Sequence, residues 1–217
     1  AIRGNVETEI AHDDEAAGCG CAYPADVSDA DVSRSNAILA RLRGTARRVG
    51  GARTRLAALP MHLTARVGDA RVAIVHGDAA SLAGWGFAHD RLADPAHVRW
   101  VESAFRDARV DVFASSHTCL PALREFAGGV VANNGAAGMP NFAGTCFGLA
   151  TRISVRPCDG GIRVLGVREA GVHLDAVRID YGHAAWVRRF LRAWPEGSPA
   201  HASYYRRITE GPRFPPP

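Results

Sequence analysis

The chain has 217 residues, 47% of them apolar, enough for a real core in one large domain or two small ones. All 26 basic residues are arginine, and against 22 acids they leave a net charge of +4, too mild by itself to argue for nucleic acid. No apolar run reaches the length of a membrane span and no basic-then-apolar leader opens the chain, so a soluble cytoplasmic protein is expected.

Five cysteines, at 19, 21, 119, 146 and 158, are an odd count, and the Cys19-Gly20-Cys21 spacing is awkward for a disulfide, so reduced thiols are expected. The chain opens on Ala1 and reaches Gly4-Asn5 before any element can form, which suggests that it lacks its natural beginning.

In chain order, residues 11–27 are acidic and glycine-rich and read as a mobile loop. Ser28 or Asp29 can then cap a helix carrying Ile38, Leu39, Leu42, Ala46 and Val49 on one face, ended by Gly50-Gly51. Met61, Leu63, Ala65 and Val67 alternate with polar residues as a half-buried strand, which turns at Gly68-Asp69 into Ala70–Val75 and leaves His76 at the far end. A loop containing Gly84-Trp85-Gly86-Phe87 follows, and Asp94-Pro95 opens a helix that turns Val98, Val101 and Phe105 inward.

The apolar run 110–114 is a strand that delivers Ser115-Ser116-His117-Thr118-Cys119. Residues 123–126 and 130–132 form a hairpin around Gly128-Gly129, and a glycine-rich turn begins at Asn133-Asn134-Gly135. Segments 147–156, 162–168 and 172–181 read as sheet-edge meanders. A last helix over 183–194 spaces Val187, Phe190, Leu191 and Trp194 as core or as a modest homodimer contact, and stops at Pro195. One domain over 1–195 is therefore expected, with a Pro-, Arg- and Tyr-rich, loosely ordered tail over 196–217. Helices between strands in the first half and hairpins in the second predict a mixed α/β domain with two packed sheets.

His76 and His117 share a context, each at the carboxyl end of an apolar strand, where layered α/β proteins gather their ligands. With the amide oxygen of Asn5 they would make a site for a hard-to-borderline divalent ion. Either histidine alone is also an ordinary hydrogen-bonded strand-end residue.

The order of short patterns resembles the calcineurin-like metallophosphoesterase family, which reads D-x-H, G-D, G-N-H-D/E, H-G-D and G-H-x-H along the chain. Gly4-Asn5-Val6-Glu7, Val75-His76-Gly77-Asp78 and Ser116-His117-Thr118-Cys119 look like its third, fourth and fifth blocks, and residues 133–140 like its N-x-G-S-x-G-x-P turn. The resemblance runs from Arg3 to about Val177. It implies a four-layer α/β/β/α sandwich, here lacking the first strand-helix-strand segment. It also implies a dinuclear site of two divalent ions (Mn, Fe or Zn) whose activated hydroxide hydrolyses a phosphoester. The substrate would be a small nucleotide or phosphodiester, or a phosphoprotein.

Carried over by position, Asn5, His76 and His117 ligate one metal and Cys119 stands where the second histidine ligates the other. A Cys119 thiolate would favour softer ions, whereas a neutral Cys119 is only a small buried residue. Gly4 would give the tight turn that points Asn5 inward, Asp78 would brace the site or its loop, and Arg3 would clamp phosphate or lie on the surface. Trp85 would stack on substrate or pack back on the core. Val6 replaces the family's histidine and cannot transfer a proton, so substrates with good leaving groups are expected. The two competing expectations are a catalytically inactive binding scaffold and a structural zinc domain built on Cys19, Cys21, His117 and Cys119, which lacks the usual paired spacing.

Overall fold

A computed structural model describes residues 1–217 and contains two β-sheets and seven α-helices. Strand β2 (Ala70–Val75) is the hinge of the first sheet: it pairs antiparallel with β1 (His62–Val67) through the Gly68-Asp69 turn and parallel with β3 (Val112–Ser115). Strand β3 in turn pairs parallel with β5 (Gly129–Asn134), whose hairpin partner β4 (Pro121–Phe126) closes the far edge. The order β1-β2-β3-β5-β4 brings the carboxyl ends of three parallel strands side by side. His76, the residues after Ser115, and Asn133 therefore emerge at one edge. Asn133 belongs to β5, paired with Ser115, so the glycine-rich turn begins later than expected.

The second sheet joins β6 (Gly148–Ser154), β7 (Arg163–Glu169) and β8 (Val172–Ile179) in the order β6-β8-β7. A simple meander is not formed, because β8 takes the centre. Its Val172 and Leu174 are fully buried and pack with Val72, Val112 and Val130 of the first sheet, so the most apolar strand lies where both neighbours cover it. The buried Asp175 carboxylate of β8 is matched by Arg152 at 2.9 Å and Arg163 at 3.2 Å from the flanking strands.

The other face of the first sheet is covered by α4 (His89–Ala93) and α5 (Val98–Ala108). Leu92, Val101 and Phe105 meet Phe87, Phe113 and Val131 there in a buried cluster rich in phenylalanine. Burying each such side chain contributes roughly 1.5–3 kcal/mol. Asp94 caps the single 3-10 turn that leads into α5 by accepting from the Ala96 amide at 2.9 Å.

Ser28 caps α2 (Asp29–Arg47), its hydroxyl accepting from the Asp31 amide at 3.2 Å, with Asp29 and Asp31 set against the positive end of the helix dipole. The helix stops at Arg47, which leaves Val49 exposed rather than on the inward face. Two short helices have no clear signature in the sequence: α1 (Asn5–His12) and α3 (Ala52–Ala57). Helix α6 (His183–Ala193) ends one residue short of the expected 183–194, with Trp194 as its cap.

The segment 196–217 is not a loose tail. Ser198 caps α7 (Pro199–Glu210), with Pro199 in the first turn. Its Ala200 and Ile208 are buried with Phe190 of α6 and pack on Ile38 of α2 and Met139. An amphipathic face that finds a partner is what orders it.

Candidate metal centre

Gly4 caps α1 from an ordinary extended backbone, φ −99°, and its amide donates to the Glu7 carboxylate at 2.9 Å. Glu7 thus closes the helix start. Glycine is required here for space rather than for a turn: a Cβ at position 4 would lie 2.7–2.9 Å from three ring atoms of His76. The first helical residue, Asn5, is buried, and its amide nitrogen donates to the carbonyl of Cys19 at 2.9 Å and lies 3.3 Å from the Cys21 sulfur. Those contacts fix the amide so that Oδ1 faces His76 Nε2, 2.9 Å away.

His117 completes the group. Its Nδ1 lies 3.1 Å from His76 Nε2, and its Nε2 lies 3.3 Å from the carbonyl of Cys21. The turn that presents it is unusual: His117 (φ +50°) and Cys119 (φ +62°) both adopt the left-handed region, where non-glycine residues are uncommon. Neighbouring strands hold it there. Ser116 donates its amide to His76 O at 3.1 Å, and the buried Asn133 amide donates to Thr118 Oγ1 at 2.9 Å and to Phe87 O at 3.1 Å.

Burial pushes the His76 pKa down to about 4, with the neighbouring His117 adding to the effect, and burial also lowers that of His117. Both imidazoles are therefore neutral at pH 7 and keep a lone pair for a cation. Asn5 Oδ1 and His117 Nδ1 each lie about as far from His76 Nε2 as two ligands of one small divalent ion lie from each other when its bonds are near 2.1 Å. The chemistry of the set, two imidazoles and an amide oxygen, fits a borderline ion.

Cys119 does not share this geometry. Its thiol donates to the His117 carbonyl at 3.3 Å, and burial raises its pKa, which keeps it a thiol. Nowhere in the structure do three His, Cys, Asp or Glu side chains come together around a metal position, so the trio depends on its amide oxygen. The same observation removes the four-residue zinc arrangement of Cys19, Cys21, His117 and Cys119.

The surrounding loops serve the trio. Asp78 carries no ligand geometry: its carboxylate accepts from the amides of Ala80, Ser81 and Gly86 at 2.8–2.9 Å and so folds the loop after His76. Trp85, on that loop, packs back. Its ring meets His117 edge to face at 5.4 Å, and its Nε1 donates to Cys21 O at 3.0 Å. The 17–21 loop, expected to be mobile, is pinned by Asn36 on the Cys19 amide at 2.9 Å and by buried Arg43 on Ala17 O at 3.0 Å. Arg3 reaches Ala57 O rather than the site, and Val6 faces the small core of Ile10, Cys19 and Leu39. The roles of Cys19 and Cys21 were invisible in the sequence because both act largely through backbone carbonyls, which have no residue-type signature.

Two packed sheets, helices over the first sheet, and a histidine pair at the ends of parallel strands make a mixed α/β sandwich. Among solved structures, a hypothetical protein of Pyrococcus horikoshii OT3 is similar over 98% of this chain and 73% of its own, with a TM-score of 0.61 and 17% identity. A metallophosphoesterase of Sphaerobacter thermophilus is similar over 93% of this chain and 75% of its own, with a TM-score of 0.51 and 14% identity. At these identities the likeness is one of fold. No family model matches the chain, and no curated protein matches its sequence. No helix is long and apolar enough to cross a membrane.

Proposed function

We propose that this chain is part of a metal-dependent phosphoester hydrolase in which Asn5 Oδ1, His76 Nε2 and His117 Nδ1 hold a divalent cation. The observation that carries the reading is that Asn5 Oδ1 and His117 Nδ1, from two separate segments, stand 2.9 and 3.1 Å from His76 Nε2 on a third. The fold shared with the metallophosphoesterase of Sphaerobacter thermophilus supports it.

When bound, such a cation lowers the pKa of water and screens charge on phosphoryl oxygens. The protein's own contributions are to orient and to exclude. Cys19 and Cys21 hold the Asn5 amide in place, Cys21 O and Trp85 fix the His117 ring, and burial keeps both imidazoles unprotonated. Val6 faces the helical core and carries no proton to give the leaving group. Substrates are therefore phosphodiesters, nucleotides or aryl esters with good leaving groups. The second cation of a dinuclear site finds no comparable set of side chains here, and Cys119 is turned away as a thiol.

Zinc, manganese and iron binding to the purified chain, read by calorimetry, together with hydrolysis of bis-p-nitrophenyl phosphate, tests this. Binding and turnover that both vanish in His76→Ala and His117→Ala support the hydrolase. The lack of any carboxylate in the trio favours one second reading, an inactive scaffold that keeps the cation site: it is the conclusion if the ion binds and no ester is hydrolysed.

A further inference from the structure

We infer that Arg207, on α7, is a positioning residue for His117; this rests on the reading of Asn5, His76 and His117 as a cation site. Its guanidinium donates to the carbonyl of Cys119 and, at 3.4 Å, to that of Pro140. One terminal nitrogen, Nη2, therefore ties the turn that presents His117 to the turn that follows β5. The span is long in sequence, 88 residues to Cys119 and 67 to Pro140, so no local interaction replaces it.

The tie falls where the backbone needs it. His117 and Cys119 flank Thr118 in left-handed conformations that a histidine and a cysteine adopt only when their surroundings hold them. Asn133 holds the middle of the turn through Thr118, and the Cys119 thiol closes back on His117 O. Arg207 holds its end. Freed of that contact, the Cys119 peptide can relax, and His117 Nδ1 leaves its position 3.1 Å from His76 Nε2.

Stability alone does not explain an arginine here. Ala200 and Ile208 already dock α7 by apolar contact, and Arg34 anchors it again on Ser203 at 3.2 Å. The guanidinium instead leaves its buried Nε–H without an acceptor. Buried unpaired donors are rare and call for a reason other than packing. Holding two carbonyls of the site loops is such a reason.

Arg207→Ala, Arg207→Lys and the exposed control Arg206→Ala are compared by zinc affinity, measured against a chromophoric chelator, and by the imidazole 1H–15N resonances of metal-free protein. Arg207→Ala is expected to weaken zinc about 10- to 100-fold, the usual effect of losing a group that orients a ligand. It is also expected to shift the His117 resonances before any zinc is added. Added guanidinium ion should restore both in Arg207→Ala, which a general loss of stability would not allow. Arg206→Ala should match wild type. If Arg207→Ala does not fold, Arg207→Lys carries the test, since it keeps the charge but its shorter side chain does not carry a terminal nitrogen to the place of Nη2 between the two carbonyls. Zinc affinity within twofold of wild type together with unmoved His117 resonances in the folded variant overturns the inference. If wild type itself binds no zinc, the cation reading fails, and the metal-free resonances alone decide Arg207.

Discussion

His76 and His117 meet edge to face with ring centroids 4.9 Å apart, one delivered by β2 and the other by the turn after β3. Two imidazoles this close cannot both be charged. Their mutual proximity, added to burial, sets how the protein responds to acid.

Because the His76 pKa falls from 6.5 to about 4 on folding, the unfolded chain binds the extra proton between those values. Stability attached to His76 is thus fully present above pH 6.5 and is lost as pH falls toward 4, where the folded state protonates too. Thermal melts between pH 7 and 4 should show a falling Tm, and the slope should flatten in His76→Gln. A Tm independent of pH in this window contradicts a buried neutral His76.

Gly4→Ala should separate the site from the fold. The added methyl would sit 2.7–2.9 Å from the His76 ring, so either the imidazole or the start of α1 must move. A cost of about 1–3 kcal/mol in urea unfolding is expected from overpacking. Loss of zinc binding by calorimetry should accompany it, whereas an alanine at exposed Gly138 should change neither.

Asp78 gathers three amides on one buried carboxylate, and its removal leaves those donors unpaired. Asp78→Ala should destabilise the protein by roughly 3 kcal/mol. The loop carrying Trp85 should loosen with it. Red-shifted tryptophan emission below the main unfolding transition is the measurement; unchanged emission would assign Asp78 a lesser role.

With Val6 turned into the helical core, leaving-group chemistry should dominate any hydrolysis. The kcat/KM for bis-p-nitrophenyl phosphate should exceed that for an alkyl monoester by about 100-fold or more, the scale on which general acids act. Comparable rates for the two would show that another residue donates the proton.

Several elements were readable because their causes are local. Alternation marks β1, the Ser28 cap and acidic first turn mark α2, and apolar runs ending in histidine mark β2 and β3. Others were not, for reasons of packing. Helix α1 is short and starts on Gly4 and Asn5 near the chain start, and α7 looks like a polar tail until Ile208 meets Phe190. The central place of β8 reflects which strand both neighbours can bury.

The sequence by itself determined that His76 and His117 would end apolar strands, since short apolar runs followed by polar residues need no distant partner to be recognised. Only the tertiary structure decided what they meet. His76 is 71 residues from Asn5 and 41 from His117, and parallel pairing of β2 with β3 closes the second gap while Gly4 leaves room for the first. The same packing turned Cys119 onto a backbone carbonyl and brought Arg207 to hold it. A thiol's role depends on where its side chain is aimed, and that is settled by contacts between distant segments.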